Sequence, residues 1–310
     1  MGELPELIFV KHDEINQILW DENILKSING NVYANFWYLE VVTKNKWDAL
    51  ISKDYKWLMP LPSKKKFGFR YLPTPLFIQQ LGIYGLGPFS QEICLHFIKH
   101  LDNNFDLIDY NINHFNIFEG FGKFKIKERK NLILNINNNT DLLKNTFSDG
   151  IKRKITKAQN SKVKLNNASI RAIIKLFQDN NERAIPDWNF ANYTVLEELY
   201  HMSSLRKKGF CIGAYNDNGN LISGAFILEY KETATFIFSG NSDEGKEKGA
   251  LPFLISNYIA TAPKHIQYFD FEGSDNEGLY QFYSGFGAKE FNYLHLKKNN
   301  LPFYIRIFKK

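Results

Sequence analysis

The stretch 267–288, QYFDFEGSDNEGLYQFYSGFGA, holds in order a short aromatic run, a polar turn, a second aromatic run and a Gly-Phe-Gly stop. The run 268–271 is aromatic and bounded by turn signals, so it reads as a buried strand. Asp270 and Glu272 stand two apart and share a face if the strand continues through both. Beyond the turn, Leu279, Phe282, Tyr283 and Phe286 recur at helical spacing. Gly285 and Gly287 bracket the expected helix end, where a positive φ is commonly needed.

The same order occurs upstream. Residues 107–122, LIDYNINHFNIFEGFG, again give a strand with an acidic residue, a polar turn, an aromatic stretch and Gly-Phe-Gly. Each copy is followed by another candidate strand, within KFKIKERKNLILNIN and AKEFNYLHLKK respectively. The two copies stand roughly half the chain apart, the pattern of a duplicated domain.

Composition agrees with two domains. The chain has 310 residues, more than one core usually supports. Hydrophobic residues at 44% and aromatics at 15% suffice for packed cores. The expected division is 1–140 and 141–310, with 301–310 belonging to either. A net charge of +6 is a modest basic excess, compatible with phosphate-bearing ligands without requiring them. Cys94 and Cys211 lie one in each half with no metal spacing, which argues against a disulfide scaffold or a zinc cluster. The N-terminus lacks a basic segment leading into a long apolar run, and no run approaches the ~20 apolar residues that span a bilayer. A cytoplasmic protein without a membrane span is expected.

In chain order, the first half reads as a short strand, a helix capped by Asp13, strands at 35–43, 47–53 and 55–62, a Pro-bearing loop over 64–88, a helix at 90–101 and the acidic strand at 105–111. The second half reads as a helix over 141–160 carrying Lys152, Arg153, Lys154 and Lys157, a short strand at 163–165, and helices at 169–183 and 194–207. A hairpin at 210–215 and 221–230 and a strand at 233–239 follow. A Gly/Lys loop then leads to a helix at 251–262, the acidic strand, the aromatic helix and a strand at 290–296.

This order resembles the GNAT acyltransferase fold, an α+β architecture with a mixed sheet, here as two tandem GNAT-like domains. In that family the loop between the fourth strand and its helix offers backbone N–H groups to the pyrophosphate of acyl-CoA, as a helix start can. The resemblance places donor binding at Asn241, Ser242, Gly245, Lys246, Lys248, Gly249 and Ala250. Gly240, Gly245 and Gly249 would let the backbone approach, and Lys246 and Lys248 would add charge. The stretch from Lys246 to Leu251 departs from the family's usual loop at its first residue and at its last small residue. A solvated turn is the other reading of it. The tandem arrangement, with DFEGS and FYSGFGA in the second half, is similar more specifically to Fem-type peptidyltransferases. These take an aminoacyl group from aminoacyl-tRNA to an amine of a cell-wall precursor, while other relatives use acyl-CoA and small acceptors. IKRKITKAQNSKVKL resembles their basic helix at the start of the second domain, but their long helical insertion is not visible.

Acyl transfer to an amine needs a neutral amine, a positioned carbonyl and stabilisation of the oxyanion. The resemblance makes Asp270 and Glu272 candidates to bind or deprotonate the acceptor. A turn cap and an ion pair with a lysine are the other readings of the two. Tyr283 either protonates the leaving group or packs the helix, and Tyr280 and Ser274 are expected near the substrate. Arg70 and Gln79, in an aromatic loop, are expected to wall an acceptor groove between the domains. His96 and His100 have metal-compatible spacing but no third ligand nearby, so no metal is expected. The expected function is N-acyl transfer from acyl-CoA, or less readily from aminoacyl-tRNA, to a small-molecule or peptide amine. The alternatives are a non-catalytic ligand-binding protein with a degenerate duplication, and a nucleic-acid binder using the 152–157 helix. The modest net charge opposes the last, and no DNA partner is expected.

Overall fold

The computed structural model describes residues 4–116, 123–137, 143, 145–180, 189–273 and 275–302. In chain order these form β1 (Leu7–Val10), α1 (Gln17–Lys26), α2 (Phe36–Thr43), β2 (Asp48–Ser52), β3 (Trp57–Leu61), β4 (Lys64–Lys66), β5 (Phe69–Pro73), β6 (Tyr84–Gly85), α3 (Gln91–Asn104), β7 (Leu107–Ile112), β8 (Lys125–Arg129) and β9 (Leu132–Asn135). There follow α4 (Asp149–Asn160), β10 (Lys164–Asn167), α5 (Ile170–Asn180), α6 (Phe190–Leu205), β11 (Gly209–Tyr215), β12 (Leu221–Tyr230), β13 (Thr233–Asn241), α7 (Asp243–Lys248), α8 (Ala250–Thr261), β14 (Tyr268–Asp270), α9 (Glu277–Ser284), β15 (Lys289–Glu290) and β16 (Tyr293–Asn299).

One compact unit is built from the chain up to Arg129 and from Asn292 onward, and the other runs from Lys130 to Phe291. The first carries a sheet of order β1-β2-β3-β6 and another of order β4-β5-β7-β16-β8. The second carries one sheet of order β10-β11-β12-β13-β14-β9-β15.

The duplication is visible in the strand pairing. In the first unit β5 runs parallel to β7 with Tyr71, Leu72 and Pro73 opposite Leu107, Ile108 and Asp109. In the second, β13 runs parallel to β14 with Thr233, Ala234 and Thr235 opposite Tyr268, Phe269 and Asp270. Each pair has three rungs, an intervening helix (α3 or α8), and an aspartate on the third rung. The Gly-Phe-Gly of the first copy lies outside the described residues.

The expected division at 140/141 is corrected by two strands. β9 lies antiparallel to β14 in the second unit, so the chain enters that unit at Lys130. β16 lies between β7 and β8, so the chain rejoins the first unit at Asn292. Sequence order alone assigns each of these strands to the other unit. Residues 303–310, most of the expected final strand, are outside the described residues.

Local departures have identifiable causes. The aromatic and β-branched run FWYLEVVT, expected as a strand, is the helix α2. Its first free N–H, on Phe36, donates to the Asp21 carboxylate at 2.8 Å, and its apolar face buries Tyr38, Leu39 and Val41. A cap supplied from α1 outweighs β-propensity in this setting. α1 itself is capped by Asn16, whose side chain accepts from the Leu19 N–H at 3.1 Å, rather than by Asp13. The long loop expected over 64–88 contains β4 and β5, which pair as a hairpin. In the expected helix 141–160, residues 143, 145 and 146 are helical, and the helix breaks at 147–148 before α4 begins at Asp149, where the Ser148 hydroxyl accepts from the Ile151 N–H.

In the second unit, α4 and α8 share a core with the inner face of the sheet. Ile151, Ala158, Leu254 and Ile255 pack there with Ala225, Ile227, Ala234, Phe236, Phe269 and Phe271. α5 packs on the sheet through β12 and β13. Any side chain at Gly224 or Gly240 would collide with Ile173, at 2.6 and 2.5 Å. Among the described residues, no helix is long and apolar enough to cross a membrane.

β16 is tied into the first unit by a buried charge. Lys298, 3% exposed, forms an ion pair with Asp102, and its Nζ donates to the Asp102 carbonyl at 2.6 Å near the C-terminal end of α3. A cation there is favoured by the helix dipole. Lys298→Met keeps the length but leaves the partly covered Asp102 with the exposed Lys123 alone. The expected result is a loss of about 2–4 kcal/mol in urea unfolding. A change below about 0.5 kcal/mol would show that the pair contributes no net stability.

Candidate functional site

The parallel ladder between β13 and β14 ends at its third rung, Thr235 opposite Asp270. β13 continues through Asn241 paired only with β12 among the described residues. The two strands therefore part, and from Phe236 onward that edge of β13 pairs with no strand among the described residues. At the parting the β12–β13 register shifts, Phe226 lying opposite Phe238 and Ile227 opposite Phe236. This leaves Ile237 as an extra residue, and a bulge of this kind re-aims backbone N–H and C=O groups out of the ladder.

On the β14 side, alternation sends Phe269 and Phe271 into the core and Asp270 to the opposite side. Asp270 is 8% exposed. It accepts the Glu272 N–H at 2.8 Å and the Asn131 side-chain amide at 3.4 Å. Burial pushes its carboxyl up to about 6, against these two hydrogen bonds. A carboxyl in that range holds and releases a proton close to neutral pH.

Glu272 does not share a face with Asp270. The strand ends at Asp270, and Glu272 has φ +61° with Gly273 following at +54°. The expected alternation therefore stops one residue short. The left-handed pair forms because the chain passes against the backbone of 130–131, where a Cβ on Gly273 would lie 2.2 Å from the Lys130 carbonyl oxygen. Glu272 instead influences Tyr283, whose hydroxyl is pushed up by burial and by the Glu272 charge. The Tyr283 ring stacks on Phe271 at 4.9 Å and meets Phe236 edge-on at 6.4 Å. Two of the expected catalytic residues, Glu272 and Tyr283, thus come together, while Asp270 is grouped with Asn131. No spacing or motif marks Asn131, which reaches Asp270 only through the β9–β14 pairing.

The expected donor loop is a continuation of β13 through Asn241 followed by the short helix α7. Ser242 caps α7 by accepting the Gly245 N–H at 3.0 Å. The glycines face protein: a Cβ at Gly245 would lie 2.1 Å from the Ile222 oxygen, and one at Gly249 2.3 Å from the Lys154 oxygen. Gly249, at φ +70°, joins α7 to α8. Ala250, Leu251 and Pro252 are buried, and Pro252 has no N–H to offer. Lys246 pairs with Asp243 at 2.9 Å and Lys248 with Glu244 at 2.8 Å. Glu244 is held below the usual carboxylate range by Lys248 and Asn216. Asn241 places its Oδ1 buried beside Gly245 with no hydrogen-bond partner among the described residues.

The expected substrate residues are dispersed. The Tyr280 hydroxyl donates to Glu290 at 2.6 Å, and its ring lies under the Lys130 ammonium at 4.0 Å. Gln79 is buried in the first unit, accepting from the Gln80 side chain at 2.6 Å. The Arg70 guanidinium lies over the Phe105 ring at 4.8 Å, also in the first unit. Ser274 lies outside the described residues. His96 and His100 are each directed at backbone carbonyls, of Pro5 and His96. Among the described residues no group of three or more His, Cys, Asp or Glu is placed to hold a metal ion.

Because the Asp270 pKa is raised on folding, its ionisation opposes the folded state. The contribution is absent below the unfolded value of ~4, grows as pH rises, and is complete above about 6. Raising pH from ~4.5 to ~7.5 should cost the wild type on the order of 2 kcal/mol that Asp270→Asn does not lose. Chemical unfolding of both proteins across that range checks this, and parallel pH curves would refute the buried-carboxyl assignment.

No protein-family model matches the sequence, and no curated protein matches it. Solved structures do match the fold. FemX is 14% identical with a TM-score of 0.69, covering 97% of this chain and 99% of its own. A tandem GNAT protein from the clavulanic acid biosynthesis pathway is 10% identical at 0.53, covering 96% and 99%. The C-terminal domain of a putative lysylphosphatidylglycerol synthetase from Agrobacterium fabrum is 8% identical at 0.52, covering 94% of each chain. With the repeated parallel pair and the parting of β13 from β14, these likenesses identify the chain as a tandem GNAT fold of the kind FemX has.

Proposed function

We propose that the protein is an N-acyltransferase that moves an acyl or aminoacyl group from an activated carrier to an amine, with the chemistry in the second unit where β13 and β14 part. The observation that carries this reading is Asp270, a buried carboxyl pushed up to about 6 at the last rung before the strands separate. The names of FemX and of the lysylphosphatidylglycerol synthetase domain support transfer chemistry on this fold, although fold alone does not fix function.

In this reading the donor carbonyl lies against the open edge of β13, where the bulge at Ile237 turns backbone donors toward the developing oxyanion. The amine nitrogen attacks the carbonyl carbon, its proton passes to Asp270, and the carrier's thiol or hydroxyl departs with a proton. Tyr283, kept neutral by burial and by Glu272, is the proton donor on the other side of β14. Asn131 is a positioning residue that orients the Asp270 carboxyl.

Acyl-CoA is the donor that the fold most directly implies, held by Asn241, Ser242, Gly245, Lys246, Lys248, Gly249 and Ala250. A second donor, aminoacyl-tRNA, is favoured by the internal pairing of Lys246 and Lys248 and the burial of the first turn of α8. Both features leave few groups for a diphosphate.

Thermal unfolding with acetyl-CoA and longer acyl-CoAs separates the two donors. A ligand at 100 times its Kd should add about 2.7 kcal/mol, an effect lost in the Lys246→Glu/Lys248→Glu double variant. No shift with any CoA, together with turnover of an aminoacyl-adenosine ester, would transfer the assignment to aminoacyl-tRNA. In whichever assay turns over, Asp270→Asn should lower kcat/KM by about 10²–10⁴-fold and remove the rise in rate near pH 6. Ligand binding without turnover by any amine would replace the transferase reading with a binding role.

A further inference from the structure

The helix α4, with Lys152, Arg153, Lys154 and Lys157, has no part in the transferase reading. Within the second unit a cavity of about 280 Å³ lies between it and α8. α4 lines the cavity with Lys152, Ile155, Thr156 and Gln159, and α8 lines it with Phe253, Ser256, Asn257 and Ala260. Each set falls at i, i+3, i+4 and i+7, so each is a single face of its helix. Phe147, 3% exposed, completes the lining. Ile155 and Phe253 also pack against the core of the unit, so the floor is apolar and continuous with that core.

Ser256 is the exception on that floor. It is 6% exposed and lines the cavity, yet its hydroxyl has no hydrogen-bond partner among the described residues. A serine inside a helix commonly donates to the carbonyl four residues back. Here that carbonyl belongs to Pro252, and the bond is not made. A buried hydroxyl left unpaired is destabilising, and a ligand oxygen in the cavity would pair it. A lone water would serve poorly, because it needs about two to four polar partners and the floor offers one.

Charge narrows the ligand further. Among the described residues, Lys152 is the one charged side chain lining the cavity. Its ammonium donates to the Asn145 carbonyl at 3.1 Å and has no carboxylate partner among the described residues. Lys157, on another face of α4, is already paired with Glu247 at 3.8 Å. One ammonium beside apolar walls matches a monoanion, whereas a phosphate dianion would stay half uncompensated there. The volume is that of a small molecule, near the lower end of ligand pockets, and a partner helix would need far more.

We infer that the cavity between α4 and α8 binds a small apolar monocarboxylate. Its chain or ring lies against Phe147, Ile155 and Phe253, and its carboxylate is shared between the Lys152 ammonium and the Ser256 hydroxyl. The inference does not rest on the reaction proposed at Asp270, and its readout is binding rather than turnover.

The test is calorimetric titration of the full chain near neutral pH with hexanoate and with phenylacetate, each beside its alcohol, hexanol or phenylethanol. The better-fitting carboxylate should bind about tenfold or more tighter than its alcohol, and which one it is tells an aliphatic ligand from an aromatic one. Lys152→Gln changes an exposed side chain and should erase that preference. Ser256→Ala should weaken the carboxylate about threefold to tenfold. The same variant should leave the thermal midpoint of the free protein unchanged or raised, since alanine favours the helix and no hydrogen bond is lost. The inference is overturned if neither carboxylate binds, if the alcohols bind as tightly, or if Lys152→Gln keeps the preference. A lowered midpoint in Ser256→Ala with unchanged carboxylate binding overturns it too. So does binding of inorganic phosphate or of an amphipathic helical peptide where the carboxylates do not bind.

Discussion

The parallel ladder between β13 and β14 has three rungs and then stops, and the arrangement of the second unit follows from that stop. Up to Thr235 and Asp270 the strands satisfy each other's backbone groups. Beyond it, β13 is held from one side by β12, while the other chain turns away through two consecutive left-handed residues, Glu272 and Gly273. The turn is enforced by the 130–132 backbone, which also receives the Phe271 N–H. The aromatic cluster of Phe236, Phe269, Phe271 and Tyr283 fills the core side of the divergence. Each such ring contributes on the order of 1.5–3 kcal/mol by burial. Asp270 carries the electrostatic cost of the same geometry, since its strand position removes it from water without supplying a cation among its hydrogen-bond partners.

The segment between β13 and α8 shows how one composition serves two different physical ends. Glycines and lysines ahead of a helix suit an anion cradle, and they equally suit close packing with local ion pairs. Here the positions a Cβ would occupy at Gly240, Gly245 and Gly249 are filled by backbone atoms of Ile173, Ile222 and Lys154. The lysines are matched to Asp243 and Glu244 within one turn of the same helix. The β4–β5 hairpin is the opposite case. Its lysines have no acids at helical spacing to meet, and the ladder sets Lys65 against Arg70. Positive charge is thus compensated within one turn on α7 and set against like charge across the β4–β5 ladder.

The amino-acid sequence by itself determined the duplication, the aromatic helix after the acidic strand and the three-strand meander, an order of elements that resembles the GNAT architecture. These rest on local periodicity, on turn residues and on the order of elements, all of which are written along the chain. It also singled out Asp270, because an acid inside a short aromatic strand is legible without a structure. Tertiary structure alone decided the rest. FWYLEVVT is helical because Asp21 caps it from another helix, and β9 and β16 join units that their sequence positions do not suggest because strand pairing is non-local. Glu272 leaves the face of Asp270 because a neighbouring backbone forces a positive φ one residue after the strand ends. Asn131 reaches the Asp270 carboxyl only because its segment lies beside β14. Periodicity reports which face a residue would occupy if its element continued. Where the element stops, and what then stands opposite, is set by contacts between distant parts of the chain.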